Sequence, residues 1–174
     1  MMLHKVAVAF SALLLVTGAA SAQGAKPNDA QIAHIAYTAG LADIANAQQA
    51  LKISKNKDVR AFATDMARDH KAVNDKALAL VKKLKVTPQD NDTSKAIAKG
   101  QADERAKLAK LKGAAFDKAY IDNEVAYHKV VNGALQNTLI PSASNAELKS
   151  LLETGLKIFQ GHQQHAEHVA ADLK

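Results

Sequence analysis

No cysteine occurs in the 174 residues, which excludes disulfides, thiolate metal sites and lipid attachment through sulfur. Tryptophan is also absent, aromatics make up 4 % of the chain, and there are three prolines and eight glycines. With no runs of β-branched and aromatic residues, nothing argues for a sheet. The isolated glycines Gly100, Gly113, Gly133, Gly155 and Gly161 exclude a phosphate-cradling loop. No Gly-flanked serine elbow is present, so Ser142 and Ser144 read as turn and cap residues rather than nucleophiles.

One apolar run, VAVAFSALLLV, follows the basic start MMLHK and precedes TGAASAQ. It is too short to span a bilayer and reads as a cleavable secretory leader over residues 1–22, cut after Ala22. The expectation is a soluble periplasmic protein of residues 23–174, folded as one domain, with no transmembrane segment in the mature chain.

What the chain does contain is alanine-rich helical periodicity. Helices are expected from about Asn28 to Ser54, with Asn28 and Gln31 as a capping box, and from about Asp58 to Lys85. A basic crossover follows at 94–111, then a long helix over 114–139 stopped by Pro141, then a last helix over 146–173 capped by Ser144 and Glu147. This is an all-α antiparallel four-helix bundle with an extra basic helix.

The net charge is +6, and Lys95, Lys99, Arg105, Lys107, Lys110 and Lys112 concentrate much of the excess in the crossover. Such a run is ordinarily a solvated helix face; the alternative partner is an anionic envelope surface. Nucleic acid is not expected, because export and the lack of an aromatic-studded basic groove argue against it.

Polar residues interrupt the apolar stripes near the middle of each bundle helix. Asp43 stands in the stripe of the first helix with Asn46 beside it, and His70 in that of the second. In FDKAYIDNEVAYH, Asp117, Glu124 and His128 share a face with Ile121, Val131 and Leu135, and His162 completes the stripe of the last helix. Buried carboxylates and imidazoles require partners, and four helices converging at similar depth build bundle metal sites. Asp43, His70, Glu124, His128 and His162 are the candidate ligands of one transition ion, Zn, Cu, Ni or Fe, with Asp69 and Asp117 as outer partners orienting ring nitrogens. The competing readings are an ion network that only fixes helix register, and acid–base use of the same groups. His34, His165 and His168 read as surface, and Met66, one turn before His70, as core or an auxiliary soft ligand.

The motifs VRAFATDMARDH, FDKAYIDNEVAYH and IFQGHQQHA resemble those of a bacterial exported family called domain of unknown function 4142, grouped with ferritin-like four-helix bundles. The resemblance places Asp69 and His70 on the family's Asp-His pair and His162 on its last-helix histidine, while Asp43 stands where the family usually has Glu. It implies a ferritin-like bundle and no established activity. A di-iron bundle also needs a Glu-x-x-His pair on each of two helices, whereas Ala67 and Phe159 stand three residues before His70 and His162. Iron storage and oxygen activation are therefore not expected. A non-catalytic metal-binding protein is the main expectation, an envelope stress or interaction protein the alternative, and a small metallo-oxidoreductase the third.

Overall fold

A computed structural model describes residues 26–173 of the chain; the expected leader and its cleavage site lie outside the described residues. Six α-helical segments follow in order: α1 (Asp29–Ile53), α2 (Lys57–Lys83), α3 (Asp92–Leu108), α4 (Gly113–Ala134), α5 (Ile140–Ser142) and α6 (Ala146–Asp172), with a π-helical turn, Leu135–Leu139, joining α4 to α5. There are no strands among the described residues.

Side-chain caps set most of the helix starts. Asn28 and Gln31 form the expected reciprocal capping box at α1. Asn56 accepts from the Asp58 and Val59 amides at α2, and Asn91 with Ser94 forms a second box at α3. Gly113 enters α4 at φ 55°, a conformation that favours glycine.

Two expected boundaries are corrected. The cap of α6 is Asn145, which accepts from the Glu147 and Leu148 amides; the Ser144 and Asn145 amides are instead held by the Asp29 carboxylate at 2.8 and 2.9 Å. A distant carboxylate that satisfies two amides at once replaces the local box. Nor does Pro141 stop the preceding helix, which continues through it to Ser142. The wider π turn just before it, where the Ile140 amide reaches back to the Leu135 carbonyl, changes the bonding register that a proline would otherwise break.

Helix directions follow from the contacts at their ends. A three-residue link turns α2 back along α1. The Gln89 amide bonds the Ala30 carbonyl and Asn91 reaches the Gln31 carbonyl, so α3 starts beside the beginning of α1. It then runs along α1 until Gln49 bonds the Arg105 carbonyl. This extra traverse sends α4 in the same direction as α2, and α6 returns. In the resulting square, α1 packs on α2 and α4, and α6 packs on α2 and α4, so neighbours are antiparallel. α3 lies outside, against α1, as its weak amphipathicity implied: Leu108 is buried, and Ile97 and Leu111 are partly buried.

The interior divides into two apolar clusters. One contains Ala47, Val59, Phe62, Met66, Phe116, Tyr120 and Ile121, all fully buried. The other contains Ile32, Ile35, Leu135, Leu139, Leu148, Leu152 and Phe159. Between them lies the polar layer.

The basic crossover is less free than its composition suggests. Lys95, Lys99 and Lys107 pair with Asp90, Asp103 and Glu104, and Arg105 turns inward to bond the Asn46 side chain at 3.1 Å. Arg105 is thus an interhelix tie rather than a surface cation, because α3 presents it to the buried amide of α1.

Candidate metal centre

The five inward polar residues converge as their helical phases required. Asp43 and Glu124 are fully buried, and His70, His128 and His162 retain at most 6 % exposure. Ring centroids of the three histidines lie 5.3–5.7 Å apart. Asp43 Oδ2 is 3.2 Å from His70 Nε2 and 3.6 Å from His128 Nε2, and Glu124 Oε2 is 3.6 Å from His128 Nδ1. Two overlapping triads, His70–His128–His162 and Asp43–Glu124–His128, each place one ligand atom per residue within 4.8 Å of the others, so these groups can hold a metal ion.

Tautomers follow from the fixed partners. His128 Nδ1 lies 3.0 Å from the Glu124 carbonyl, which only accepts, so Nδ1 carries the proton and Nε2 keeps its lone pair. His162 Nε2 likewise donates to Asp69 Oδ2 at 3.1 Å, which leaves the lone pair on Nδ1. His70 stacks flat on Phe159, at 4.4 Å and 7° between planes, and both of its ring nitrogens lack a hydrogen-bonded partner.

Charge follows from burial. Burial lowers His162 to about 4 against the opposing hydrogen bond of Asp69, and burial also holds His128 below the usual imidazole range, so both rings are neutral at pH 7. For Asp43 burial works to raise the carboxyl, but the adjacent His70, 3.2 Å away and the foremost of the surrounding imidazoles, outweighs it and sets the carboxyl below the ordinary value. Burial, reinforced by repulsion from Asp43, raises Glu124 well above the usual carboxyl range. One carboxylate is therefore ionised and its neighbour keeps its proton. The same burial raises the Tyr120 and Tyr127 phenols, so both stay neutral.

Few of these groups are hydrogen-bonded. Both carboxylate oxygens of Asp43 and of Glu124, both nitrogens of His70, Nε2 of His128 and Nδ1 of His162 lack a hydrogen-bond partner among the described residues. Each unsatisfied buried group costs about 1–3 kcal/mol, so the layer is far from balanced on its own. One approach is also of the wrong kind: His128 Nε2 faces Asp43 Oδ2 at 3.6 Å, lone pair to lone pair, whereas His70 Nε2 lies closer to the same oxygen, at 3.2 Å.

Of the two expected outer partners, Asp69 orients His162 and is itself held by Arg68 through Nε and Nη2 at 2.7 and 3.0 Å. Asp117 is buried, but no hydrogen bond or ion pair joins it to the five side chains. The remaining histidines among the described residues stay apart from the layer. His165 packs edge-on against Phe62 and lies 4.0 Å from Asp65, His168 is exposed, and His34 is half-buried rather than on the surface. Met66 is core. Periodicity did not reveal the Glu124 carbonyl, the Phe159 stack, or Asn132, which bonds the Phe159 carbonyl and Gln163 across the α4–α6 seam.

Fold and site together define an all-α bundle with a buried histidine–carboxylate layer. The chain belongs to the family described as Domain of unknown function (DUF4142), whose model matches residues 14–169. No curated protein and no solved structure matches it.

Proposed function

We propose that this chain is an exported bundle protein that binds a single transition-metal ion, Zn, Cu, Ni or Fe, through Asp43, His70, Glu124, His128 and His162. The observation that carries this reading is the orientation of unpaired electron pairs. His128 Nε2 and His162 Nδ1 are fixed as acceptors by the partners of their other nitrogens, and they share the layer with an ionised Asp43. A cation offsets that accumulation of lone pairs better than any neutral rearrangement of the five side chains.

The donor set suits such an ion: imidazole and carboxylate without thiolate favour a borderline cation over Mg or Ca. His162, held by Asp69, and His128, held by the Glu124 carbonyl, are pre-oriented, which reduces the ordering cost of binding. Glu124 must give up its proton to become a full ligand, so uptake releases a proton. A bound ion would supply charge neutralisation and Lewis acidity in a low-dielectric layer. Nothing in the layer requires a reaction, and a metallo-oxidoreductase rests only on fold analogy.

A second reading has its own support. The Asp43–His70 ion-pair distance of 3.2 Å and the Asp69–His162 bond of 3.1 Å tie α1 to α2 and α2 to α6, as a purely structural network would. In that case the protein is a non-catalytic envelope stress or interaction protein whose exposed lysines, Lys110 and Lys112 among them, meet an anionic surface.

Elemental analysis of untagged protein from the periplasm, followed by titration of wild type, His128→Ala and His162→Ala, separates the two. Stoichiometric metal in wild type, with affinity reduced in both variants, is expected. Wild type that binds no tighter than an exposed histidine sinks the metal reading.

A further inference from the structure

A cavity of about 640 Å³ occupies the second apolar cluster and ends on the polar layer. Its walls are aliphatic and come from every bundle helix, with Ile35, Val73, Val131, Leu135 and Leu152 among them. At one end it reaches Asp43, His70 and His128. Its exposed lining residues are Asp92 and Thr93 from α3 and Val130, Ala134 and Thr138 from α4 and the π turn, so it opens between those elements. Val130 is 70 % exposed, an apolar side chain left in solvent at that opening. The π turn itself contributes Leu135, Thr138 and Leu139 to the wall, and such turns recur at functional sites.

Size and lining match a small-molecule site, predominantly apolar with a few convergent polar groups. Two features define the occupant. Aliphatic walls favour an alkyl chain. The oxygens of Asp43 and the nitrogens of His70 at the inner end lack hydrogen-bond partners, whereas the rim offers Gln31, Asn91, Asp92 and Thr93 but no lysine or arginine among the described residues. An anionic head group therefore finds no counter-charge at the rim and meets the Asp43 carboxylate at the inner end, so the metal-free layer takes a head in its neutral O–H form.

We infer that this cavity binds an elongated aliphatic molecule with a single oxygen head group, a hydroxyl or a carboxyl, whose head contacts Asp43, His70 and His128 while its chain fills the space between α1, α4 and α6. These atoms have almost no exposed surface, so a small shift of the side chains around the layer must admit the head, whose O–H then donates to an Asp43 oxygen or a His70 nitrogen. Were the layer to hold an ion, the same oxygen would be placed to serve as a further ligand. The inference thus deepens the metal reading but does not depend on it.

The test titrates decan-1-ol, decanoate and n-decane into purified protein, zinc-free and zinc-loaded, by calorimetry and native mass spectrometry. Zinc uptake is measured separately by dialysis, so its failure bears only on the metal. The expected result is one alkyl molecule per chain, with decane at least about tenfold weaker for want of a head group. Decan-1-ol taken up by the zinc-free protein identifies a hydroxyl-headed chain; decanoate favoured by the zinc-loaded protein identifies a fatty acid. Ala36→Phe, which fills the wall, and Thr138→Trp, which crowds the rim, should each lower affinity at least about tenfold while the helical circular dichroism is kept. The proposal is overturned if neither headed probe saturates in either form, if decane binds as well as they do, or if both variants bind like wild type.

Discussion

The two halves of the bundle on either side of the polar layer are built differently. The half formed by the end of α1 and the starts of α2 and α4 is filled solid: Phe62 meets Tyr120 edge-on at 6.2 Å, Tyr120 stacks on Phe116 at 6.0 Å, and Val59, Ala63 and Met66 are fully buried. The other half, toward the start of α1 and the start of α6, encloses the cavity. Both are apolar, so hydrophobicity does not separate them. Packing does: one half holds the helices in register, and the other leaves room beside the charged layer that this register positions.

The largest expected effects come from emptying the solid half. Phe62→Ala should cost about 3–5 kcal/mol in urea unfolding, whereas Leu135→Ala, whose side chain already borders the cavity, should cost about 2 kcal/mol or less. Equal losses would break the distinction between the halves.

The layer between them should respond to acid. His162 falls to about 4 in the fold and returns to about 6.5 when unfolded, so between those values the unfolded chain binds more protons and this group's contribution drops as pH falls. The amount is on the order of 3 kcal/mol across the window, with no contribution to the slope above it. Glu124, raised by burial, slopes the opposite way, so the quantity to measure is the difference between wild type and His162→Gln in metal-free protein. A constant difference from pH 7 to 4 contradicts the assignment of His162 as a buried neutral ring.

Gly40 probes the seam between α1 and α2. A β-carbon there would collide with the Asn74 side-chain oxygen, so Gly40→Ala should displace Asn74 and its 3.3 Å bond to the Tyr37 carbonyl. A loss of about 1–2 kcal/mol is expected, moderated because Asn74 borders the cavity and has space to move. The smallest effect sharpens the comparison most. Ala77→Leu, on the cavity wall, should change stability by less than about 1 kcal/mol in either direction, while Ala63→Leu in the solid half should cost about 1–3 kcal/mol by overpacking.

Much of this was legible from helical phase. Asp43, His70, Glu124, His128 and His162 each interrupt an apolar stripe near mid-helix, and burial of those stripes brings them together. Phase fixes which side of a helix faces inward and says nothing of how two helices are shifted along each other. For that reason the Phe159 ring over His70 and the Asn132 bonds across α4 and α6 were not visible, and Asp117 stayed outside the layer despite sharing a face with Glu124. Local rules also yielded to distant partners. Asp29 took the Ser144 amide and Asn145 the Glu147 amide, the two that a Ser144–Glu147 box would have satisfied, and Asn46 drew Arg105 out of an otherwise exposed basic run. The cavity is a volume left between helices, and no residue pattern encodes a volume.

The bond from Asp69 to His162 also connects the interior to the solvent. Asp69 Oδ2 accepts at once from the buried imidazole and from the exposed guanidinium of Arg68, and each donor weakens what the oxygen offers the other. The electron density of a ring at the centre of the bundle is thus tuned by a cation on its surface. Removing that cation, or screening it with salt, makes the inner nitrogen of His162 a stronger base.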